Sequence, residues 1–355
     1  MQIDIERHQE LERMGLLSMQ QHPTLPLLIH NYTQRCQWEK AWNETSLQCR
    51  GLITDLSGNV VCRPFPKFFN LSEHTAAGSK LKPINWRQNF SVSEKLDGSL
   101  GIAYYTPDGM AIATRGSFVS DQAKRATQML RSRQRHWLPE WTYLFEIIYP
   151  ANRIVVNYGD TEDLVLLEMV HTASGKAASR SILETEAKMS GWTLARHYEM
   201  TAEQLQSYSD TDVNREGVVV RFEDGTRIKI KLEEYCRLHR LITGVNAKHV
   251  WELLSSGKSI DELIDRVPDE FMEWVRTIER ELQSAFHEIQ IDAMDLFRMT
   301  KATLGNAGRK SYAEVFKNYS GISSILFLML DGRDYSPAIW KKLKPETSVC
   351  FAANE

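Results

Sequence analysis

Between about residues 47 and 232 the chain is built from short runs of alternating or β-branched residues closed by turn signals, and after about residue 245 that pattern stops. GLITDL and VVCRPF around SGN, LGIAYY and MAIATRG around TPDG, and EGVVVRF and RIKIKL around EDGT predict antiparallel hairpins. YLFEIIYP, RIVVNYG and DLVLLEMV predict further strands. Helices are interleaved over VSDQAKRATQMLRSRQRHW and SILETEAKMSGW, the second with a serine N-cap, and the opening MQIDIERHQELERMG predicts an amphipathic helix. Beyond residue 245, HVWELLSSG, SIDELIDRV and the long EFMEWVRTIERELQSAFHEIQIDAMDLFRMTKATLG space apolar residues three and four apart, as helices with one buried face do. KSYAEVFKNY, GISSILFLML and SPAIWKKLK predict shorter helices. The expected fold class is α+β: a domain of antiparallel sheets with flanking helices over residues 1–243, then an all-α domain over 244–355. The length, 355 residues, also exceeds what a single core usually serves.

Hydrophobic content of 42% and charged content of 25% are ordinary for a water-soluble globular protein, and no run nears the roughly 18 apolar residues of a membrane span. The first residues lack the apolar stretch and cleavage site of a signal peptide, so a cytoplasmic location is expected. Cys36, Cys49, Cys62, Cys236 and Cys350 form no CxxC pair and no zinc-spaced Cys/His cluster, which predicts free buried thiols and no structural metal. A net charge of −3 gives no global pull toward nucleic acid, so such a partner needs local basic patches.

The stretch SEKLDGSLGIAYY sets Lys95 at a strand end, next to an acid and a glycine. A neutral amine attacks phosphorus and an ammonium does not, so a nucleophilic lysine needs nearby cations or desolvation. A surface lysine before a turn needs neither. In RIKIKL, Lys229 and Lys231 leave the same strand face. Two such cations either serve a site or guard a sheet edge against aggregation. Glu146 is a charge inside the apolar run LFEIIY, costly to bury unless paired or used. Glu216 in REGVVV either opens a strand or belongs with the lysines. Lys124, Arg125, Arg131, Arg133 and Arg135 lie on one expected helix: a solvated face by default, a salt-sensitive phosphate track for RNA on the sharper reading. Aromatic and Met residues of the C-terminal helices have core spacing.

In chain order, QCRG, RPFPKFFNL, KLDGS, FEIIYPANRIV, EGVVVRF and IKIKLEEY resemble the motifs of the covalent nucleotidyltransferase superfamily, the ATP-dependent ligases and capping enzymes. Within it the sequence is similar to the phage RNA ligase 1 family, over roughly residues 30–240. The resemblance implies that Lys95 is the nucleophile that takes AMP from ATP, and that Lys229 and Lys231 grip its phosphate. It implies that Asp97, Glu146 and Glu216 orient hydrated Mg2+, or Mn2+ in its place, with Glu146 alternatively on the ribose. It further implies that Arg50, Lys67 and Phe69 surround the triphosphate, that Arg115 adds a basic group, and that Tyr235 packs on the adenine. His30 and Tyr32 either border the base or are packed residues. The implied activity is ATP-dependent joining of an RNA 3′-hydroxyl to a 5′-phosphate, through lysyl-adenylate and adenylated RNA, in RNA repair. The C-terminal helices resemble the part that this family uses to favour cleaved tRNA.

DNA ligases and GTP-dependent capping enzymes share the KxDG core but follow it with a β-rich OB domain. The helical turn of this chain favours RNA end joining. A binding protein that kept the fold and lost the reaction is the remaining class, and no motif residue is missing to support it. The sequence fixes no oligomeric state.

Overall fold

The computed structural model describes residues 2–132, 136–208, 214–243, 246–264 and 269–345. The chain divides into two units, Met1–Ile242 and Thr243–Glu355. The first holds three sheets. One is four-stranded and antiparallel, in the order β1 (Leu17–Gln21), β2 (Leu27–Tyr32), β3 (Arg50–Asp55), β4 (Val60–Cys62). A second, also antiparallel, runs β10 (Asp163–His171), β9 (Trp141–Ile148), β7 (Ser99–Thr106), β8 (Gly109–Ala113). The third runs β11 (His197–Tyr198), β6 (Phe90–Lys95), β12 (Gly217–Phe222), β13 (Arg227–Lys231), β5 (Phe69–Asn70), its last pairing parallel.

The two-residue period of β9 builds two cores at once. Tyr143, Phe145 and Ile147 face a cluster with Ala126, Leu130, Leu183 and Trp192 from the helices Asp121–Arg131 and Arg180–Ser190 and their flanks. Leu144 faces the other way, onto Ile29, Ile53, Ile102 and Ala113, which joins the first two sheets. Each such side chain stabilises the fold by about 1.5–3 kcal/mol when fully buried. The third sheet packs Val92, Val218, Val220, Phe222 and Ile228 around Leu205.

The hairpins fall where the alternation and turns place them, and three local expectations are corrected. RIVVNYG forms no strand: the Val155 and Val156 amides donate to Asp97 Oδ2, both at 2.8 Å, instead of to a sheet neighbour. The second internal helix is capped by Ser179, whose hydroxyl accepts the Ile182 N–H, and Ser181 lies inside the first turn. The first is described over Asp121–Arg131, capped by Ser120 at its start, with Trp137 outside it, and Arg133 and Arg135 lie outside the described residues.

The second unit is helical: Ala247–Ser255, Asp261–Ile264, Asp269–Leu304, Arg309–Phe316, Ser323–Leu330 and Ser336–Lys342. Ala293, Tyr312, Phe316, Ile325, Leu326 and Ile339 form its core. Trp251 Nε1 donates to the Trp340 carbonyl at 2.7 Å, tying the first helix of this unit to the last. Cys36, Cys49, Cys62 and Cys236 are free thiols, and Cys350 lies outside the described residues. Among the described residues no helix is long and apolar enough to cross a membrane.

Candidate active site

Strand register brings the lysines together. β12 lies between β6 and β13, and Gly217 stands opposite Lys95 on one side and Lys231 on the other. Glu216, one residue earlier, therefore reaches both: Oε2 is 2.7 Å from Lys95 Nζ and Oε1 is 3.1 Å from Lys231 Nζ. Gly217 makes this approach possible. At its φ of +151° an added Cβ would lie 2.0 Å from the Ile230 carbonyl oxygen, forcing β13 away. Glu216 is buried, which pushes its carboxyl up, but Lys95 and Lys231 outweigh that and hold it below the usual carboxylate range. Lys95 is thus held in place by an ion pair with a buried carboxylate that it shares with Lys231. Lys229 lies on the same face of β13 as Lys231 and is itself 8% exposed.

The KLDG turn is fitted against β9. The Gly98 N–H donates to Glu146 Oε1 at 2.9 Å, and an added Cβ on Gly98 would meet the Ile147 carbonyl oxygen at 2.6 Å. Burial drives the Glu146 carboxyl up to about 8, with Lys95 and Arg50 pulling down and Glu216 pushing up. These four groups therefore share one field. Arg50 Nη1 is a buried donor with no hydrogen-bond partner among the described residues. A buried unpaired guanidinium N–H beside a lysine pair is what an anionic ligand would satisfy.

Asp97, expected to orient hydrated metal, braces the KLDG turn. Oδ2 accepts the Val155 and Val156 amides and Oδ1 accepts the Tyr235 hydroxyl at 2.7 Å, while the Asp97 N–H donates to Tyr158 Oη at 2.8 Å. The carboxylate is occupied with holding the turn. Tyr235, expected on the adenine, is 3% exposed, and its hydroxyl donates to Asp97. Tyr158 and the two valine amides escape a sequence reading because backbone donors leave no residue-type signal. Among the described residues no three His, Cys, Asp or Glu side chains form a group able to hold a metal ion. Magnesium typically keeps several waters and touches one or two carboxylates. The mutual repulsion of Glu146 and Glu216 is the feature that fits such a hydrated cation.

A second cationic group surrounds Tyr32. Lys67 Nζ lies 5.4 Å from the Tyr32 ring centroid, 5.5 Å from Trp42 and 5.3 Å from Phe69. Arg115 Nη1 donates to Tyr32 Oη at 3.3 Å. Tyr32 therefore stands among the site's cations. His30 does not: it is fully buried, with Nε2 2.9 Å from Thr54 Oγ1 and Nδ1 3.1 Å from His8 Nδ1. Burial and His8 lower its pKa to about 3. Trp42 was not singled out by the sequence, since nothing in its own neighbourhood links it to Lys67, 25 positions later.

The expected phosphate track is partly committed elsewhere. Arg125 pairs with Glu162, Arg131 donates to the Met110 carbonyl, and Lys124 is exposed.

The family model described as RNA ligase matches residues 48–235, a little over half of the chain. A protein of Thermovibrio ammonificans named "Putative RNA ligase" is 30% identical over 210 residues, covering 55% of this chain and 54% of the relative. An RNA ligase of Rhodothermus phage RM378 is 24% identical over 314 residues, covering 69% and 70%. The chain thus spans about half the length of the first relative and a larger share of the second. A solved archaeal ATP-dependent RNA ligase has 14% identity and a TM-score of 0.47, covering 80% of each chain, too distant a likeness to carry an argument. From the match over residues 48–235, which contains Lys95, Glu146, Glu216, Lys229 and Lys231, this chain belongs to the phage RNA ligase 1 family of RNA ligases.

Proposed function

We infer that this protein seals RNA, joining a 3′-hydroxyl to a 5′-phosphate at the expense of ATP, and that Lys95 carries the AMP between steps. The observation that carries this is the Glu216 carboxylate shared by Lys95 at 2.7 Å and Lys231 at 3.1 Å. It sets an amine, a carboxylate and a second cation at one point. In the first step Lys95 Nζ, its proton lost to water, bonds to the α-phosphorus as the bond to the β-phosphate oxygen breaks, releasing pyrophosphate. Lys229 and Lys231 neutralise the α-phosphate oxygens, and Arg50, Lys67 and Arg115 meet the departing end. The RNA 5′-phosphate then takes the AMP from Lys95, and the RNA 3′-hydroxyl displaces it. The protein's contribution is chiefly position and charge.

Glu146 and Glu216 are the carboxylates that would hold hydrated Mg2+, directly or through its waters. Bound there, the ion would offset the charge built up as pyrophosphate leaves. The helical second unit takes the place in the chain of an OB domain, which favours RNA over nicked DNA, and cleaved tRNA is the proposed natural class in RNA repair. The test is a panel of ends offered with ATP: nicked DNA, single-stranded RNA and cleaved tRNA, with GTP replacing ATP as a check for capping chemistry. Sealing of RNA with ATP alone is expected. Lys95→Ala should not charge itself, yet should still seal RNA that already carries a 5′-adenylate. Preferential sealing of nicked DNA, or charging by GTP, contradicts this reading.

A further inference from the structure

We propose that Glu168 is a positioning residue for Lys229, fixing β13 so that the lysine meets the α-phosphate of ATP. This rests on the function inferred above and gives a role to a buried acid outside the motifs of the reaction. β10 carries a bulge: Leu166 stands opposite Phe145 and Glu168 opposite Leu144, with Leu167 the extra residue between them. Without it, Glu168 would share the face of Leu166, which lies with Phe145 in the core that the helices cover. The bulge turns Glu168 to the face of Leu144 instead, and its carboxylate meets the third sheet. Oε2 accepts from Arg221 Nη1 of β12 at 2.8 Å and from Arg227 Nη2 of β13 at 3.1 Å. Oε1 accepts the Met169 N–H at 3.3 Å, and the residue is 6% exposed.

Arg221 and Arg227 stand directly opposite each other across the β12–β13 hairpin, and like charges so placed push two strands apart. Glu168 offsets that repulsion by taking both. On the same face of β13, Arg227 is followed by Lys229 and Lys231. This row of cations has an acid at each end: Glu216 holds Lys231 together with Lys95, and Glu168 holds Arg227 together with Arg221. Lys229 lies between the two anchored ends, so a shift of β13 at Arg227 carries the lysine with it. The Glu216 anchor lies within the third sheet, whereas Glu168 ties the hairpin to the second sheet, whose β9 carries Glu146. Glu168 thereby sets the spacing between the lysine face and that carboxylate. Arg227 Cζ also lies 4.9 Å from the ring of Phe65, which backs the same guanidinium. Apolar side chains of similar volume would typically stabilise such a place at least as well as buried charges do. What the charged cluster adds is direction.

The test is a double-mutant cycle on the rate of lysyl-adenylate formation. Single turnovers at saturating ATP are followed in full-length wild type, Glu168→Gln, Lys229→Ala and the double variant, each rate scaled to the folded fraction. Glu168→Gln keeps the shape of the side chain and removes the charge that the two arginines share. Its rate is expected to fall by about tenfold or more, since a misplacement of about 1 Å can cost on the order of 10²-fold. In the Lys229→Ala background the same change should cost about twofold or less, because the group it acts through is gone. Equal factors in the two backgrounds, as general damage to the fold would give, overturn the proposal. So does an unaltered rate in Glu168→Gln. Should Glu168→Gln fail to fold, the combined change Glu168→Leu, Arg221→Met and Arg227→Met, which removes all three charges, takes its place in the same cycle and is judged by the same factors. A wild-type protein that forms no adenylate at all would instead overturn the ligase function on which the proposal stands.

Discussion

Replacing Glu216 by Gln keeps the shape of the side chain and removes the charge that Lys95 and Lys231 share. Two ammonium groups are then left facing each other at a place where Lys231 is 10% exposed and Lys95 22% exposed. Breaking a buried pair by removing one partner typically costs 3–5 kcal/mol. Because Lys95 can turn partly to water, the lower end applies, and Glu216→Gln should destabilise the protein by about 3 kcal/mol. Lys95→Ala alone leaves Glu216 paired with Lys231, so it should cost less. In the Lys95→Ala background only one cation depends on Glu216, and Glu216→Gln should be correspondingly milder. The two changes are therefore coupled, by about 1 kcal/mol or more, whereas independent sites add to within about 0.5 kcal/mol. Urea unfolding of wild type, both single variants and the double variant at pH 7 gives the coupling directly. Additivity within that margin would refute the shared-carboxylate geometry, whatever the variants do to activity.

Tyr235→Phe removes only the donor to Asp97 Oδ1 at 2.7 Å and should cost about 1.5–3 kcal/mol, the range for a hydrogen bond to a charged group. Unchanged stability in urea would mean that the hydroxyl is not spent on the KLDG turn. His30 lies near 3 in the folded protein, below its ordinary value of 6.5, so the unfolded chain takes the proton first. Stability should fall as pH drops from 6.5 toward 3, by about 2 kcal/mol at pH 5 from this residue. His30→Gln should flatten that dependence, and urea midpoints at pH 7 and pH 5 that shift equally in both proteins would contradict it.

The hairpins and the shared face of Lys229 and Lys231 were legible because both are written in residue type. Alternation and turn residues mark the hairpins, and lysines two apart on RIKIK declare a shared face. What escaped was written in backbone and in distance. RIVVNYG has strand composition, but Val155 and Val156 give their amides to Asp97, and composition records no such donation. Asp97 reads from its type as an acid that orients metal, and its bracing of the turn shows only in the geometry. Arg227 shares the alternation of Lys229 and Lys231, yet its guanidinium goes to the buried Glu168 at 3.1 Å, together with Arg221 at 2.8 Å. Trp42 reaches Lys67 only through the packing of two short helices that the sequence barely signals.

The chemistry turns on a covalent bond between one amine and AMP. Wild-type protein incubated with ATP and Mg2+, digested and mapped by mass spectrometry, should carry a single AMP on the peptide containing Lys95, discharged on adding pyrophosphate. Adenylate on a different side chain, or none in wild type while ATP is bound, would contradict it.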